Sequence, residues 1–192
     1  MPTIPTNFVS TPITGPKALQ QLAHQYGLGD KLVVKPVYGT FGEENYLVDL
    51  IEYDFNPSIC DIKPDIIIQK FMPNVKIEGE YSFIIYDNTI SHTVLKTPSI
   101  LDLRTHQMHG GTSQLVSPCE DDLNAAEKVL ESILMLTGEK AHEFRIDMIR
   151  CETTQTLLLL ELAIGDPIQY LHLLSEAQQR KAIHHFIDST EL

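Results

Sequence analysis

Apolar residues follow two periods along the chain, and each period predicts a different kind of element. Spacings of three and four predict helices, the clearest with Leu123, Ala126, Val129 and Leu130 on one face and Gly138 after its end. The helices are predicted at 17–26, 123–136 and 175–187. Short β-rich or alternating runs predict strands at 31–35, 46–51, 66–68, 81–87, 90–95, 103–108, 143–150 and 156–164. Strands with helices packed beside them favour an α+β fold.

Turn residues connect several of these elements. Asn88 and Thr89 predict a two-residue hairpin turn between two of the strands, and a polar turn at 151–155 joins the last two strands. Residues 2–16 contain four prolines and are predicted to be an extended lead-in.

Composition and charge exclude several classes of protein. The chain has 192 residues with 26 acids, 14 bases and a net charge of −12, which argues against a nucleic-acid binder because such proteins must neutralise phosphates. Apolar runs are far too short for a membrane span. Residues 1–15 lack the pattern of a secretory signal, and three cysteines without CxxC spacing fit a reduced thiol state. We therefore expect a cytoplasmic protein without a nucleic-acid or membrane partner, and a homo-oligomer stays open.

The last predicted hairpin carries an acid on each strand in apolar surroundings. If its turn centres on Thr154, Asp147 lies opposite Glu161 and Arg145 lies opposite Ala163. Two like charges that face each other are destabilising, and a divalent cation between them removes the repulsion. Hard oxygen ligands suit Mg²⁺. The alternative is that the turn is one or two residues longer and both acids face water.

A lysine followed by a glycine-containing loop is a second candidate site. Lys35 ends an apolar strand, and Gly39, Thr40 and Gly42 follow it. Glycines allow backbone N–H groups to approach a phosphate closely, and the lysine adds a positive charge. The Walker pattern is absent, and the same residues are also common in ordinary turns.

Other charged residues are ambiguous when taken singly. Lys70, Lys96 and Arg104 lie near predicted strand ends, where each alone is also typical of a solvated surface charge. The eight histidines have no third metal ligand at a suitable spacing, and no GxSxG motif or activated cysteine indicates a nucleophilic enzyme.

Taken in chain order, six stretches resemble the ATP-grasp superfamily, most of all bacterial glutathione synthetase and cycloserine-pathway ligases. The stretches are LVVKPVYGTFG at 32–42, IIQKFMP at 67–73, EGEYS at 78–82, SHTVLKTP at 91–98, DLR at 102–104 with HGGT at 109–112, and RID at 145–147 with LE at 160–161. The resemblance implies an ATP-grasp fold with two sheet-containing subdomains, 1–65 and 66–192, and the metal-binding hairpin in the second.

The resemblance also implies a role for each matching residue. The nucleotide ligands would be Lys35, Gly39, Thr40 and Gly42 for the phosphates, Gln69, Lys70, Phe71 and Met72 for adenine, Glu80 for the ribose, and Lys96 for a phosphate. The catalytic pair would be Arg104 and Arg145, which stabilise the transferred phosphoryl group. The metal ligands would be Asp147 and Glu161, which agrees with the hairpin argument. The implied cofactors are ATP and Mg²⁺.

The implied activity joins a small-molecule carboxylate to an amine through an acyl-phosphate. Two departures from the pattern count against it. Ala163 stands where the resemblance expects a third metal ligand, an Asn or Glu, and Met1 follows the place of an N-terminal substrate domain and a first ATP lysine. The expectation is therefore a fragment, a domain completed by another domain or a partner chain in trans, or a degenerate module that binds nucleotide without catalysis.

Overall fold

A computed structural model describes residues 2–39, 42–52, 54–100, 102–139, 142–164 and 167–190. Within these ranges the strands are β1 (Thr6–Val9), β2 (Lys31–Pro36), β3 (Tyr46–Asp49), β4 (Ile66–Lys70), β5 (Glu80–Tyr86), β6 (Thr89–Thr97), β7 (Thr112–Val116), β8 (Glu143–Arg150) and β9 (Leu157–Ile164). The α-helices are α1 (Pro16–Tyr26), α2 (Asn74–Ile77), α3 (Glu120–Thr137) and α4 (Glu176–Thr190). Short 3₁₀ helices lie at Pro57–Asp61, Gln107–His109 and Leu171–Leu173.

The chain divides into two compact units, each built on an antiparallel sheet. The N-terminal unit, Ile4–Met72, has the strand order β1-β4-β2-β3, and the C-terminal unit, Met1–Thr3 with Pro73–Leu192, has the order β7-β6-β5-β8-β9. This confirms the predicted α+β class with two sheet-containing subdomains. The division follows Met72, whereas the sequence placed it after residue 65, because β4 pairs with both β1 and β2.

The N-terminal unit has one apolar core between its sheet and α1. Leu19 and Ala23 are the buried residues of α1, and they pack with strand residues such as Leu32 and Val34. The helix ends where Gly27 adopts a left-handed conformation (φ 64°), which glycine adopts without steric cost.

Alternating side chains give the C-terminal sheet two different faces. On one face Phe83, Phe144 and Ile146 pack with Ala126 and Val129 of α3. On the other face a smaller apolar cluster contains Ile84, Tyr86, Val94, Tyr170, Leu174 and Ala182, the last of which belongs to α4. The charged residues described below share this second face.

The β5–β6 hairpin differs by one residue from the prediction. Tyr86 pairs with Thr89, so the turn residues are Asp87 and Asn88 rather than Asn88 and Thr89. Both have positive φ, 44° and 59°, which Asp and Asn tolerate better than most residues. The predicted turn was therefore wrong by one position.

In the β8–β9 hairpin, the predicted pairing of the acids is confirmed. Asp147 lies opposite Glu161 and Arg145 lies opposite Ala163. Near the turn Arg150 pairs with Leu157, one residue earlier than a turn centred on Thr154 would give. A β-bulge next to Asp147 restores the offset, because β9 has one more residue there than β8.

The bulge also changes which way the β9 side chains face. Leu159 lies opposite Met148 and joins the apolar core, whereas Glu161 lies opposite Asp147 on the other face. Residues two apart in a regular strand would share a face. The extra residue thus allows a core leucine and a site acid to stand only two positions apart.

Arg150 fixes the turn end of β8. Its Nε donates to Glu78 Oε1 at 2.8 Å, and its two Nη atoms donate to Asp122 at 2.8 and 2.9 Å. The guanidinium also lies over the ring of Tyr81, 5.4 Å from the centroid. These contacts tie β8 to the start of α3 and to the residue that follows α2.

The region before β7 differs from the sequence prediction. The predicted strand at 103–108 is absent from the described residues, which form a loop and a 3₁₀ helix there, and β7 follows at Thr112–Val116. The loop is tight, since a Cβ added at Gly111 would clash with the Thr105 carbonyl oxygen. β1 was predicted only as extended chain.

Across the described part of the chain, every helix is too short or too polar to cross a membrane.

Candidate active site

A network of charged and polar side chains occupies the second face of the C-terminal sheet. Glu80 and Ser82 come from β5, Lys96 from β6, and Arg145 and Asp147 from β8. The register places them together, since Glu80 pairs with Lys96 and Ser82 pairs with Asp147. The structure thus brings together four of the residues predicted as site residues and adds Ser82.

Asp147 is at the centre of the network and is only 2% exposed. Its Oδ1 accepts from Ser82 Oγ at 2.5 Å and from Arg145 Nε at 2.8 Å. Its Oδ2 accepts from Arg145 Nη2 at 2.8 Å and lies 3.4 Å from Lys96 Nζ. A carboxylate offers about four acceptor positions; hydrogen bonds use three of those on Asp147, and the Lys96 ammonium lies beside the fourth.

Lys96 joins the two buried acids. Its Nζ forms an ion pair with Glu80 Oε1 as well as with Asp147, and the lysine is only 5% exposed. The other oxygen of Glu80, Oε2, accepts from Thr105 Oγ1 at 2.9 Å. The loop before β7 is thereby attached to the network through Thr105.

The pKa shifts follow from burial and from these partners. Burial opposes ionisation of Asp147, but Lys96 and Arg145 outweigh it and hold the Asp147 pKa well below its ordinary value. Burial likewise opposes the charge on Lys96, yet Asp147 and Glu80 raise the Lys96 pKa. Burial raises the pKa of Glu80, and Lys96 opposes that rise. The network therefore holds an ionised Asp147 beside a charged lysine.

The donor chemistry at the hairpin fits Mg²⁺ only in part. Asp147 and the exposed Glu161 lie opposite each other and supply hard oxygen ligands. In the described residues no cluster of three or more His, Cys, Asp or Glu side chains could hold a metal ion. Ala163 contributes no side-chain oxygen. At Asp147, Mg²⁺ would compete with Ser82, Arg145 and Lys96 for the carboxylate oxygens.

Arg104, the other predicted catalytic arginine, lies in the loop that carries Thr105. Its Nε and Nη2 donate to the Asp102 carboxylate at 3.0 and 2.7 Å. This pairing raises the pKa of Arg104 above its ordinary value. The predicted contact of Arg104 with a phosphoryl group stays a prediction.

The predicted phosphate loop belongs to the N-terminal unit. Lys35 is half-buried near the end of β2, and Gly39 and Gly42 lie in the loop that follows. Gly42 has a positive φ of 69°, which glycine adopts without the steric cost that most other residues have there. Thr40 lies outside the described residues.

In the predicted adenine-binding segment, residues 69–72, several groups already form hydrogen bonds or are buried within the N-terminal unit. The buried Gln69 amide donates to Thr6 Oγ1 at 2.8 Å, and Met72 is also buried. The backbone N–H groups of Lys70 and Phe71 donate to carbonyl oxygens of the same unit at 2.9 Å each. A backbone contact with adenine would therefore fall to other groups of this segment.

Three site residues had no role in the sequence prediction. Ser82 and Thr105 hydrogen-bond the two buried acids, and Tyr170 is buried next to them with a pKa that burial raises. Of the three, only Ser82 could have been inferred from the sequence, because it lies two residues after Glu80 and therefore on the same face of the strand.

This chain is similar to solved structures, although its sequence matches no family model and no curated protein. D-cycloserine synthetase DcsG is 18% identical with a TM-score of 0.76, covering 98% of this chain and 66% of that one. D-alanine–D-alanine ligase from Bacillus anthracis is 14% identical with a TM-score of 0.65, covering 98% and 62%. The chain has the ATP-grasp fold.

A third ATP-grasp structure agrees at lower identity. The ATP-grasp ligase PsnB, solved with a minimal precursor, Mg and ADP, is 9% identical with a TM-score of 0.63, and the match covers 100% of this chain and 55% of that one. The chain thus spans 55% to 66% of the length of these three structures. In this ATP-grasp fold the network of Asp147 and Lys96 lies on the five-stranded sheet.

Proposed function

We propose that this chain is the ATP-binding, catalytic domain of a carboxylate–amine ligase that works through an acyl-phosphate. The observation that carries the proposal is the buried network of two acids and two cations, with Glu161 opposite Asp147, on a sheet of the ATP-grasp fold. The ligases among the structural neighbours support the same class of reaction.

In the proposed reaction, a carboxylate oxygen attacks the γ-phosphorus of ATP, and the bond to the bridging oxygen breaks to release ADP. An amine then attacks the acyl carbon, phosphate leaves with the bonding electrons, and the amine loses a proton. Lys96 and Arg145 offset the negative charge that develops on the transferred phosphoryl group. Ser82 and Thr105 hold Asp147 and Glu80 in place, and these acids in turn position the two cations.

Asp147 and Glu161 would hold Mg²⁺, which neutralises phosphate charge when it is bound. Glu80 would contact the ribose, as the resemblance implies. The remaining nucleotide contacts, predicted from the sequence, belong to the N-terminal unit and stay predictions. They are Lys35, Gly39, Thr40, Gly42, Gln69, Lys70, Phe71 and Met72. A small-molecule carboxylate and an amine are the substrates, and a further domain or a partner chain would complete their binding. The use of ATP and the three free cysteines suit the cytoplasm.

Positional isotope exchange tests the phosphoryl transfer directly. ATP labelled with ¹⁸O at the β,γ-bridge is incubated with the protein, Mg²⁺ and one carboxylate at a time, without amine. Reversible acyl-phosphate formation moves the label to a non-bridging position only when the right carboxylate is present. A Glu161→Gln variant, which changes an exposed residue of the proposed metal site, should lose the exchange. Label movement that is equally fast without any carboxylate would contradict the proposal.

Ala163 favours a second candidate, a nucleotide-binding module without catalysis. The residue faces Arg145 and gives the site one oxygen ligand fewer than the resemblance expects. Calorimetry would then show Mg²⁺-dependent ATP binding, while isotope exchange stays absent with every carboxylate. Equal ATP affinity in EDTA would contradict both candidates, since the acids at the site would repel uncompensated phosphates.

A further inference from the structure

Three hydrogen bonds and one ion pair surround the Asp147 carboxylate without a metal ion. Ser82 and Arg145 bind one oxygen, and Arg145 and Lys96 approach the other. Mg²⁺ requires ligand oxygens at about 2.0–2.1 Å and cannot share a lone pair that already accepts a hydrogen bond. A metal ion at Asp147 must therefore displace a hydrogen-bond donor or, at the remaining position on Oδ2, the Lys96 ammonium that would repel it.

The surroundings identify which donor can leave. Ser82 is completely buried, and the Lys96 side chain is 6% exposed and also paired with Glu80. The Arg145 side chain is 12% exposed, and its other hydrogen bond, to the Ile168 carbonyl oxygen, is long at 3.4 Å. Arg145 is also the donor whose departure frees a position on both oxygens of Asp147.

We propose that Arg145 makes metal binding at Asp147 conditional on a phosphate-bearing ligand. Without such a ligand, the guanidinium occupies Asp147 and excludes the metal ion. A polyphosphate offers the guanidinium an equally good bidentate partner with more negative charge, so Arg145 moves to the phosphate. Mg²⁺ then binds between Asp147 and Glu161. This inference rests on the proposed function in that it takes the phosphate to be that of a nucleotide.

The proposal has a thermodynamic signature. Polyphosphate and metal ion must tighten each other's binding by the same factor, because the coupling free energy is reciprocal. Part of that factor comes from direct contact between metal and phosphate. The other part comes from Arg145 and disappears when Arg145 is removed, which separates the two contributions.

Manganese binding, followed by electron paramagnetic resonance, tests the proposal with Mn²⁺ as the probe for Mg²⁺. The wild-type protein should bind Mn²⁺ weakly alone and strongly with ATP or inorganic pyrophosphate. Arg145→Gln should bind Mn²⁺ alone at least about tenfold more tightly than the wild type, a factor within the usual range of coupling between sites. Arg145→Lys should lie between the two, because an ammonium is a point charge and cannot donate to both oxygens in a fork.

Two controls define the site. Adding Glu161→Gln to Arg145→Gln should abolish the gained Mn²⁺ binding. Arg180→Gln removes an exposed arginine of α4 and should leave Mn²⁺ binding at the wild-type level. Wild-type affinity for Mn²⁺ that is equal with and without polyphosphate, or equal Mn²⁺ affinity in the wild type and both Arg145 variants, would overturn the proposal.

The outcomes distinguish this proposal from the proposed function. Tight Mn²⁺ binding by Arg145→Gln without isotope exchange in the wild type would support the arginine's role and contradict the ligase. Isotope exchange in the wild type, with Mn²⁺ affinity unchanged in both Arg145 variants, would support the ligase and contradict the arginine's role.

Discussion

Lys96 and Glu80 face each other across β5 and β6, and their ion pair is almost completely shielded from solvent. A buried pair recovers its desolvation cost only while both partners are present. The second acid, Asp147, approaches the same ammonium. Lys96 is therefore the cation that neutralises Glu80, and it shares Asp147 with Arg145.

Lys96→Met should destabilise the fold by about 3–5 kcal/mol near neutral pH, because it leaves Glu80 buried without its cation and Asp147 with Arg145 alone. Burial already raises the Glu80 pKa, and the loss of Lys96 removes the charge that opposes the rise. A carboxyl with a raised folded-state pKa contributes stability below its unfolded-state pKa and loses it as pH rises. The decrease in unfolding free energy caused by Lys96→Met, measured by urea denaturation, should therefore be smaller at about pH 5 than at about pH 8.

Glu80→Gln in the Lys96→Met background is the control for this effect. It removes one of the buried charges and should recover part of the stability near neutral pH. An equal loss of stability for Lys96→Met at both pH values would show that the buried carboxylates are not its cause.

Ser82→Ala should cost about 1.5–3 kcal/mol of folding free energy, the usual range for a hydrogen bond to a charged group. The hydroxyl donates to Asp147 in a completely buried position. Ser132→Ala is the matched control, since its exposed hydroxyl donates to a helix carbonyl and its removal should cost less than about 0.5 kcal/mol. Chemical denaturation that shows equal losses for both variants would mean that the bond to Asp147 is weak.

Ala163→Asn should tighten Mg²⁺-dependent ATP binding, because it adds an oxygen on the face of Asp147 and Glu161. The position is only half-buried, so the amide can still reach water and the melting temperature should change little. Calorimetry and thermal unfolding on the same variant check both expectations. Ala163→Val adds volume without an oxygen and should leave the affinity unchanged. A less stable Asn variant with unaltered affinity would place Ala163 outside the metal site.

Lys35→Met should weaken nucleotide binding while the unliganded melting temperature barely moves, because the stem is kept and only the charge is lost. Lys35 is half-buried near the end of β2. Lys17→Met, on the exposed side of α1, is the control and should leave nucleotide affinity intact. A large drop in unliganded stability would instead make Lys35 a structural residue.

Cys151 should react with iodoacetamide as a thiolate already near neutral pH. Hydrogen bonds from the Thr153 and Thr154 hydroxyls lower the pKa of the Cys151 thiol to about 6. The rate should therefore follow a titration near that pH, and Cys151→Ser should remove this reactive phase. Thr153→Val, which deletes the hydroxyl 3.3 Å from Sγ, should shift the titration upward. A profile that does not respond to either variant would assign the reactivity to Cys60 or Cys119.

The sequence predicted local features better than long-range ones. The β8–β9 pairing of Asp147 with Glu161 followed from alternation within a single hairpin. The Ser82–Asp147 bond did not, because it joins strands 65 residues apart whose pairing no local pattern indicates. β7 was missed because its burial pattern has no fully buried position and so leaves little alternation to read.

The β-bulge beside Asp147 divides β9 into two segments with different tasks. Before Leu160, Leu157 and Leu159 point into the apolar core. After Leu160 the alternation is shifted by one residue, so Glu161 and Ala163 lie on the charged face. A substitution at Leu157 or Leu159 should therefore change the melting temperature, whereas one at Glu161 or Ala163 should change ligand affinity. One additional residue thus separates the part of this eight-residue strand that packs in the core from the part that faces the candidate site.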